Sequence, residues 1–197
     1  RNMVLPVFPQ IGTIGIDHGT GQLILDTVNV PLPLDGYCIA QPPSTGDSCS
    51  ATLVSANDLT CPGVDLGTIN EDSIGAIPDT VDFGFITFEG GTFETDVTLP
   101  GLTSSYRVVS DITVAGPTNP TLTIEDGATL YFDADVSINV GGFDDGTLVI
   151  EGTGSQLLPY DLNQWEGIVL NNNCTADIQG GLIDGGGRNG TGAIWVD

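Results

Sequence analysis

Aspartate side chains are the residues of this sequence most able to do chemistry, and five of them lie close together in the second half of the chain. They are Asp126, Asp133, Asp135, Asp144 and Asp145. Carboxylate oxygens are the ligands that Ca²⁺ prefers, so this grouping gives the hypothesis of a Ca²⁺ site. The sequence has neither an EF-hand loop nor a G-G-x-G-x-D repeat. The alternative, which the surrounding turn residues favour, is that these aspartates cap turns on a solvated face.

Glycan cleavage would need a more specific arrangement of charged groups. A hydrolase uses two carboxylates at a fixed separation, and among 26 acidic residues a neighbouring pair such as Asp144 and Asp145 carries little weight. A lyase needs a base, for which only Arg107 and Arg188 are available in the second half. The single histidine, His18, is far away in sequence, and no G-x-S-x-G elbow is present. We therefore predict no catalytic residues and no required cofactor.

The cysteines indicate the redox compartment. Cys38, Cys49 and Cys61 fall in one segment rich in proline, glycine and serine, whereas Cys174 stands apart. No two cysteines have C-x-x-C spacing and the chain has one histidine, so a zinc or haem site is not predicted. A disulfide among the first three predicts an extracellular or cell-surface protein. The pairing stays open, as does the choice between a disulfide and a buried free thiol for Cys174.

The charge balance excludes several classes of partner. Twenty-six acidic residues against three arginines and no lysine give a formal net charge of −23. Nucleic acids and anionic membranes are both recognised by basic segments, so neither is a predicted partner. No apolar run is long enough to span a bilayer, and membrane insertion is not predicted. The acidic surface instead favours solubility and suits a cation-rich setting.

An internal repeat predicts the frame that positions these residues. TLTIE begins at residue 121 and returns as TLVIE at residue 147, 26 residues later. A second motif, an aspartate followed by a β-branched residue, recurs at irregular steps as DVTLPG from 96, DITVAG from 111 and DVSINVGG from 135. Both motifs alternate apolar and polar residues, which is the pattern of a half-buried strand.

This alternation assigns the faces of the strands. In TLTIE the side chains of Leu122 and Ile124 face the core, and in DVSINV the polar Ser137 faces solvent with its neighbours at 135 and 139. Tight turns such as EDG and GGFDDG separate the strands, and no long window has helical periodicity. Short strands in units of 24 to 26 residues predict the coils of a parallel β-solenoid. Leu122 would then stack on Leu148, and Ile124 on Ile150.

A family resemblance appears in the run TLTIEDGATLYFDADVSINVGGFDDGTLVIEGT, followed by QWEGIVLNN. It resembles the secreted right-handed parallel β-helix proteins of bacteria, with their L-T-I-x-x-G turn, G-T-L-x-x-x-G-T coil and W-x-G-I strand. The likeness covers roughly residues 91–197 and is best from 121 to 170. It implies an extracellular pectin-lyase-like solenoid and no particular activity, since that fold carries lyases, hydrolases, adhesins and phage fibres alike.

The predicted fold class is all-β, with two parts. Residues 91–197 form a right-handed parallel β-helix, or solenoid. Residues 1–90 have no such repeat and are predicted to form a β-rich, disulfide-stapled N-terminal module or cap, because glycine and proline are too frequent there for helix.

The predicted architecture leads to three hypotheses of function. The solenoid would have about four coils, and the chain closes on GAIWVD, an apolar alternating strand whose open edge would recruit another strand. We therefore expect a non-catalytic extracellular structural protein that self-associates head to tail into a filament or surface fibre. The first alternative is a fragment of a surface adhesin that binds glycans. The second is a polysaccharide lyase or hydrolase.

Overall fold

The computed structural model describes residues 85–161, 163–187 and 192–196 in full, together with the backbone of seven strands between residues 3 and 69. The regular elements of these described residues are all β-strands. Within the same ranges no helix has the length and apolar character needed to cross a membrane. The chain divides into two units, Arg1–Phe88 with Thr103–Ser105, and Glu89–Leu102 with Tyr106–Asp197.

The first unit is built from parallel strands. They are β1 (Met3–Val4), β2 (Ile14–Asp17), β3 (Gly21–Asp26), β4 (Val28–Asn29), β5 (Tyr37–Ala40), β6 (Ala51–Asn57), β7 (Asp65–Ile69) and β8 (Phe85–Phe88). β2, β5, β7 and β8 follow one another in a parallel sheet, while β3 pairs with β6 and β1 with β4, also in parallel. The sequence predicted a β-rich module here but not its parallel pairing, because no repeat like TLTIE marks the register.

The remaining strands follow one another in three parallel sheets. They are β9 (Gly91–Phe93), β10 (Val97–Leu99), β11 (Ser105–Val108), β12 (Ile112–Val114), β13 (Thr121–Ile124), β14 (Thr129–Phe132), β15 (Ser137–Val140), β16 (Gly146–Ile150), β17 (Gln156–Pro159), β18 (Gly167–Leu170), β19 (Cys174–Ile178), β20 (Leu182–Ile183) and β21 (Ile194–Val196). Sheet I contains β10, β13, β16 and β19; sheet II contains β11, β14, β17 and β20; sheet III contains β9, β12, β15, β18 and β21. The chain visits the sheets in turn, which makes a parallel β-solenoid of about four turns and confirms the predicted fold class.

Apolar side chains of successive coils stack on one another inside the solenoid. The register pairs Leu122 with Leu148 and Ile124 with Ile150, as the TLTIE and TLVIE motifs predicted. All four side chains are fully buried. Burying one leucine or isoleucine side chain contributes about 1.5–3 kcal/mol, so each added coil brings a further increment of stability.

Sheets II and III contribute matching columns of buried side chains. The columns are Tyr106, Leu130 and Leu157 in sheet II, and Ile112, Ile138 and Ile168 in sheet III. All six are fully buried. The interior is therefore filled from three sides by residues that share a register position in every coil.

Trp165 fills the interior where the chain passes from sheet II to sheet III. Its ring stacks on Phe132 of the coil before, with 4.2 Å between centroids and 13° between planes. Its indole Nε1–H donates to the carbonyl of Asp184 in the coil after, at 2.8 Å. The buried indole thus keeps its polar atom paired while it contacts three coils.

The aspartate motifs occupy different places in the coil. DVTLPG leads into β10 of sheet I, whereas DITVAG leads into β12 of sheet III, and this change of sheet explains the irregular steps. The register sets Asp111 beside Ser137, so Asp135 is not its counterpart. The sequence predicted Ser137 on a solvated face, but Ser137 is buried. Two side chains bind its hydroxyl: Asp111 accepts a hydrogen bond from it and Asn139 donates one to it.

Replacing a side chain of the core column is expected to destabilise the solenoid far more than replacing its outward neighbour. Leu148→Ala should lower the free energy of unfolding by about 2–5 kcal/mol, because a cavity adds to the lost burial. Val149→Ala, on the other face of the same strand, should cost less than about 1 kcal/mol. Equilibrium unfolding in urea measures both changes, and equal losses would contradict the assigned faces.

Candidate functional site

The outward side of sheet II carries aromatic, charged and polar side chains from three successive coils. This surface, named the Arg107 face, comprises Arg107, Thr129, Tyr131, Asp133, Gln156, Leu158 and Tyr160. The parallel register sets Arg107 beside Tyr131, and Tyr131 beside Leu158. Neighbouring strands lie about 4.8 Å apart, so these side chains form a continuous row across the coils.

The guanidinium of Arg107 joins three coils. Its Nε donates to Oδ1 of Asp133 at 2.9 Å, and a terminal nitrogen donates to Oδ2 at 3.0 Å. Its Cζ atom lies 3.8 Å from the centroid of the Tyr160 ring. Simultaneous bidentate pairing and stacking suit the planar guanidinium and not a lysine ammonium. Because the ion pair is partly exposed, it contributes at most about 1 kcal/mol to stability.

This geometry bears on the hypothesis that an arginine acts as the base of a lyase. A base must reach the proton that it abstracts, whereas two nitrogens of Arg107 donate to the Asp133 carboxylate and its Cζ atom lies over the Tyr160 ring. The other candidate base, Arg188, lies outside the described residues, and so does His18. The arrangement around Arg107 therefore suits binding better than proton abstraction.

The five aspartates of the Ca²⁺ hypothesis lie at three different corners of the solenoid. Asp126 lies between β13 and β14, Asp133 and Asp135 between β14 and β15, and Asp144 and Asp145 between β15 and β16. Within the part of the chain that the structure describes, no group of three or more His, Cys, Asp or Glu side chains could hold a metal ion. The predicted ligands are thus distributed rather than gathered, and Ca²⁺ binding stays a prediction.

Three aspartates, one at each of the three corners of a coil, instead accept hydrogen bonds from the backbone of the next coil. The backbone N–H groups of Thr121, Ser137 and Gly154 donate to Oδ1 of Asp96, Asp111 and Asp126 at 2.8, 2.8 and 2.7 Å. Gly152 has a φ of +67°, and a Cβ atom there would overlap the Asp126 carboxylate. The Asp126 side chain thus links its corner to the backbone of the next coil. Among the described residues, no buried side-chain nitrogen or oxygen lacks a hydrogen-bond partner.

The structure describes the side chain of one of the four cysteines, Cys174. Cys174 is a free thiol at the start of β19, and it is half-buried rather than fully buried. Cys38 belongs to β5, of which only the backbone is described, and Cys49 and Cys61 lie outside the described residues. The disulfide among these three cysteines stays a prediction.

Tyr106, the inward neighbour of Arg107 in β11, has a strongly perturbed phenol. Its hydroxyl donates to the backbone carbonyl of Pro100 at 3.1 Å. Burial raises the pKa of Tyr106 far above its ordinary value, and the negative charge of Glu125 raises it further. The phenol therefore stays protonated and remains a donor at any ordinary pH.

Sequence reasoning did not find the Arg107–Asp133–Tyr160 group, although one signal for it was present. Arg107 and Asp133 are 26 residues apart, which equals the offset between TLTIE and TLVIE. Applying that offset to Arg107 would have pointed to Asp133 in the next coil, although the register sets Tyr131 beside the arginine and leaves Asp133 diagonally across from it. The stacking of Tyr160 has no comparable signal, because the next turn of the chain has a different length.

A pH series tests the assignment of Tyr106. Because its pKa is raised in the folded protein, its contribution to stability is complete below the unfolded value of about 10 and declines as the pH rises further. We expect the free energy of unfolding to fall above about pH 10, and to fall less in Tyr106→Phe. At about pH 8 the substitution should cost about 1 kcal/mol, since the Pro100 carbonyl loses its donor.

The matched control is Tyr131→Phe, which removes a hydroxyl from the outward face of the neighbouring strand. Urea unfolding of the three proteins across the pH range gives the comparison. Identical pH profiles for the wild type and Tyr106→Phe would contradict the assignment.

Comparison with known proteins gives no match, since no family model, no curated protein and no solved structure matches the chain. The resemblance to the pectin-lyase-like β-helices therefore rests on the sequence motifs alone and stays a prediction. The parallel β-solenoid itself is shown by the strand pairing.

Proposed function

We propose that this chain is a non-catalytic extracellular structural protein whose solenoids associate end to end. The observation that carries the proposal is the apolar edge of the last described coil, which β19, β20 and β21 form. This edge is called the terminal edge.

The terminal edge exposes side chains whose counterparts in the earlier coils are buried. Ile194 continues the column of Ile168, yet Ile168 is fully buried and Ile194 is 40% exposed. Val196, two residues further along β21, is 78% exposed. Within the described ranges, β19, β20 and β21 each lie last in their sheet and pair with one strand only. Such an edge combines apolar surface with backbone groups that can pair, and both favour addition of a further strand.

A second copy of the chain is the occupant that we propose. Among the described strands of the first unit, β2 lies last in its parallel sheet, and its backbone groups are the ones that we propose for parallel pairing. A copy in the same orientation could add its first coil to the terminal edge of the copy before it. This contact uses different surfaces on the two copies, and repetition of such a contact produces a filament when it does not close into a ring.

Net charge sets the conditions for this association. Copies that each carry a formal charge of −23 repel one another, and dissolved salt screens this repulsion. Association is therefore favoured in a cation-rich setting, which agrees with the predicted extracellular location. That location rests on the acidic composition and on the cluster of three cysteines.

We expect the purified 197-residue chain to be monomeric in dilute buffer and filamentous at about 1 M NaCl, where the Debye length falls to about 3 Å. Val196→Asp should abolish the filaments, because it places a charge on the terminal edge. Sedimentation velocity and negative-stain electron microscopy measure the two states.

The matched control is Phe143→Asp, which makes the same change of charge at a side chain that is 99% exposed in the turn between β15 and β16. This variant should assemble like the wild type. A monomeric wild type at high salt, or filaments of Val196→Asp equal to those of the control, would overturn the proposal. A monomeric wild type would also mean that the terminal edge takes another partner, such as further coils of a longer chain.

A further inference from the structure

The Arg107 face is a second surface, formed around β11, β14 and β17 and not by the strands of the terminal edge. β14 and β17 contribute two adjacent rows of outward side chains, with Tyr131 and Leu158 as register partners at the centre. Both are half-buried, and Tyr160 at the end of its row is 37% exposed. The centre of the face is thus apolar and partly aromatic, while Gln156 and Asp133 provide polar groups at its margins.

This combination matches the chemistry of a sugar ring. A pyranose has C–H groups on its faces, which pack against aromatic and aliphatic side chains, and hydroxyl groups around its rim. The phenol rings and Leu158 can contact the C–H faces. The amide of Gln156 and the carboxylate of Asp133 can accept hydrogen bonds from hydroxyl groups, and the amide can also donate them.

The charges on and around the face select against acidic sugars. The guanidinium of Arg107 is paired with the Asp133 carboxylate at 2.9 and 3.0 Å, so the pair has no net charge to offer a uronate. The chain as a whole carries a formal charge of −23, which repels a polyanion. A neutral glycan meets neither obstacle.

The Arg107–Asp133–Tyr160 contacts also favour one arrangement of these three side chains. They join three coils without any ligand, so this part of the face is formed in advance. Two strand spacings of about 4.8 Å give a face about 10 Å long, which suits a short stretch of an oligosaccharide. A preformed surface loses less conformational entropy on binding.

We propose that the Arg107 face binds a neutral oligosaccharide, with Tyr131 and Leu158 against the sugar rings and Gln156 and Asp133 on their hydroxyl groups. This binding is independent of end-to-end association. A filament that carries the face at every repeat would bind a polysaccharide through many weak contacts.

The experiment uses cellohexaose, xylohexaose, mannohexaose and laminarihexaose as neutral probes and hexagalacturonate as the acidic probe. Binding is measured by isothermal titration calorimetry in dilute buffer, in which we expect the chain to be monomeric. We expect at least one neutral probe to bind and hexagalacturonate not to bind. Tyr131→Ala should raise the Kd of the neutral probe about tenfold, the loss expected for one stacking ring, whereas Tyr131→Phe should change it less than about threefold.

The matched control is Phe143→Ala, which removes an exposed aromatic ring from a different part of the solenoid and should leave the Kd unchanged. Thermal melts verify that each variant is folded, and Tyr131→Phe provides a second, milder variant if Tyr131→Ala does not fold. The proposal is overturned if no neutral probe binds, if hexagalacturonate binds more tightly than the neutral probes, or if Tyr131→Ala and Phe143→Ala affect the Kd equally. None of these results depends on whether filaments form.

Discussion

The structure depends on one constraint, which is that parallel strands of successive coils pair in register. Because the register is kept, each inward side chain meets the residue at the same place in the next coil, as Leu122 meets Leu148. The interior then fills with columns of apolar side chains, and Trp165 maintains this packing where the chain passes between sheets with a longer loop. A one-residue slip would move every such column to the solvent side, so the burial of the columns itself enforces the register.

Polar side chains take a subordinate but regular part in this arrangement. Three aspartates accept N–H groups of the next coil at three kinds of corner, and Arg107 connects three coils on the outside of sheet II. Some of the acidic residues that dominate the composition therefore have defined structural partners, while Asp144 and Asp145 lie exposed in a turn. The function of an acidic residue here follows from its place in the coil and not from its neighbours in sequence. This is why a cluster of aspartates in the sequence becomes three separate corners in space.

The sequence predicted most of the fold and little of the site, for a physical reason. TLTIE and TLVIE occupy the same place in successive coils, so their offset predicted both the sheet and the core contacts. The aspartate motifs look equally repetitive, yet DVTLPG leads into sheet I while DITVAG and DVSINVGG both lead into sheet III. In sheet III the register sets Asp111 beside Ser137 and not beside Asp135, so the spacing of the motifs did not predict contacts. The prediction for Ser137 was wrong because the alternation of apolar and polar residues shows only which side of the strand a residue is on. It does not show whether side chains of neighbouring residues cover that side. The Arg107 face needed the register of three coils at once, which a single pair of motifs does not provide.

The same register connects the solenoid to its proposed function. If the terminal edge pairs with another copy as neighbouring coils pair within the chain, the stack of coils continues from one copy into the next. X-ray diffraction from fibres of the 197-residue chain, aligned at about 1 M NaCl, tests this continuity most directly. We predict a sharp reflection at about 4.8 Å along the fibre axis, the spacing of strands that stack parallel to it. A chain that forms no fibres, or fibres whose strand spacing lies across the axis, would contradict the proposed end-to-end stacking.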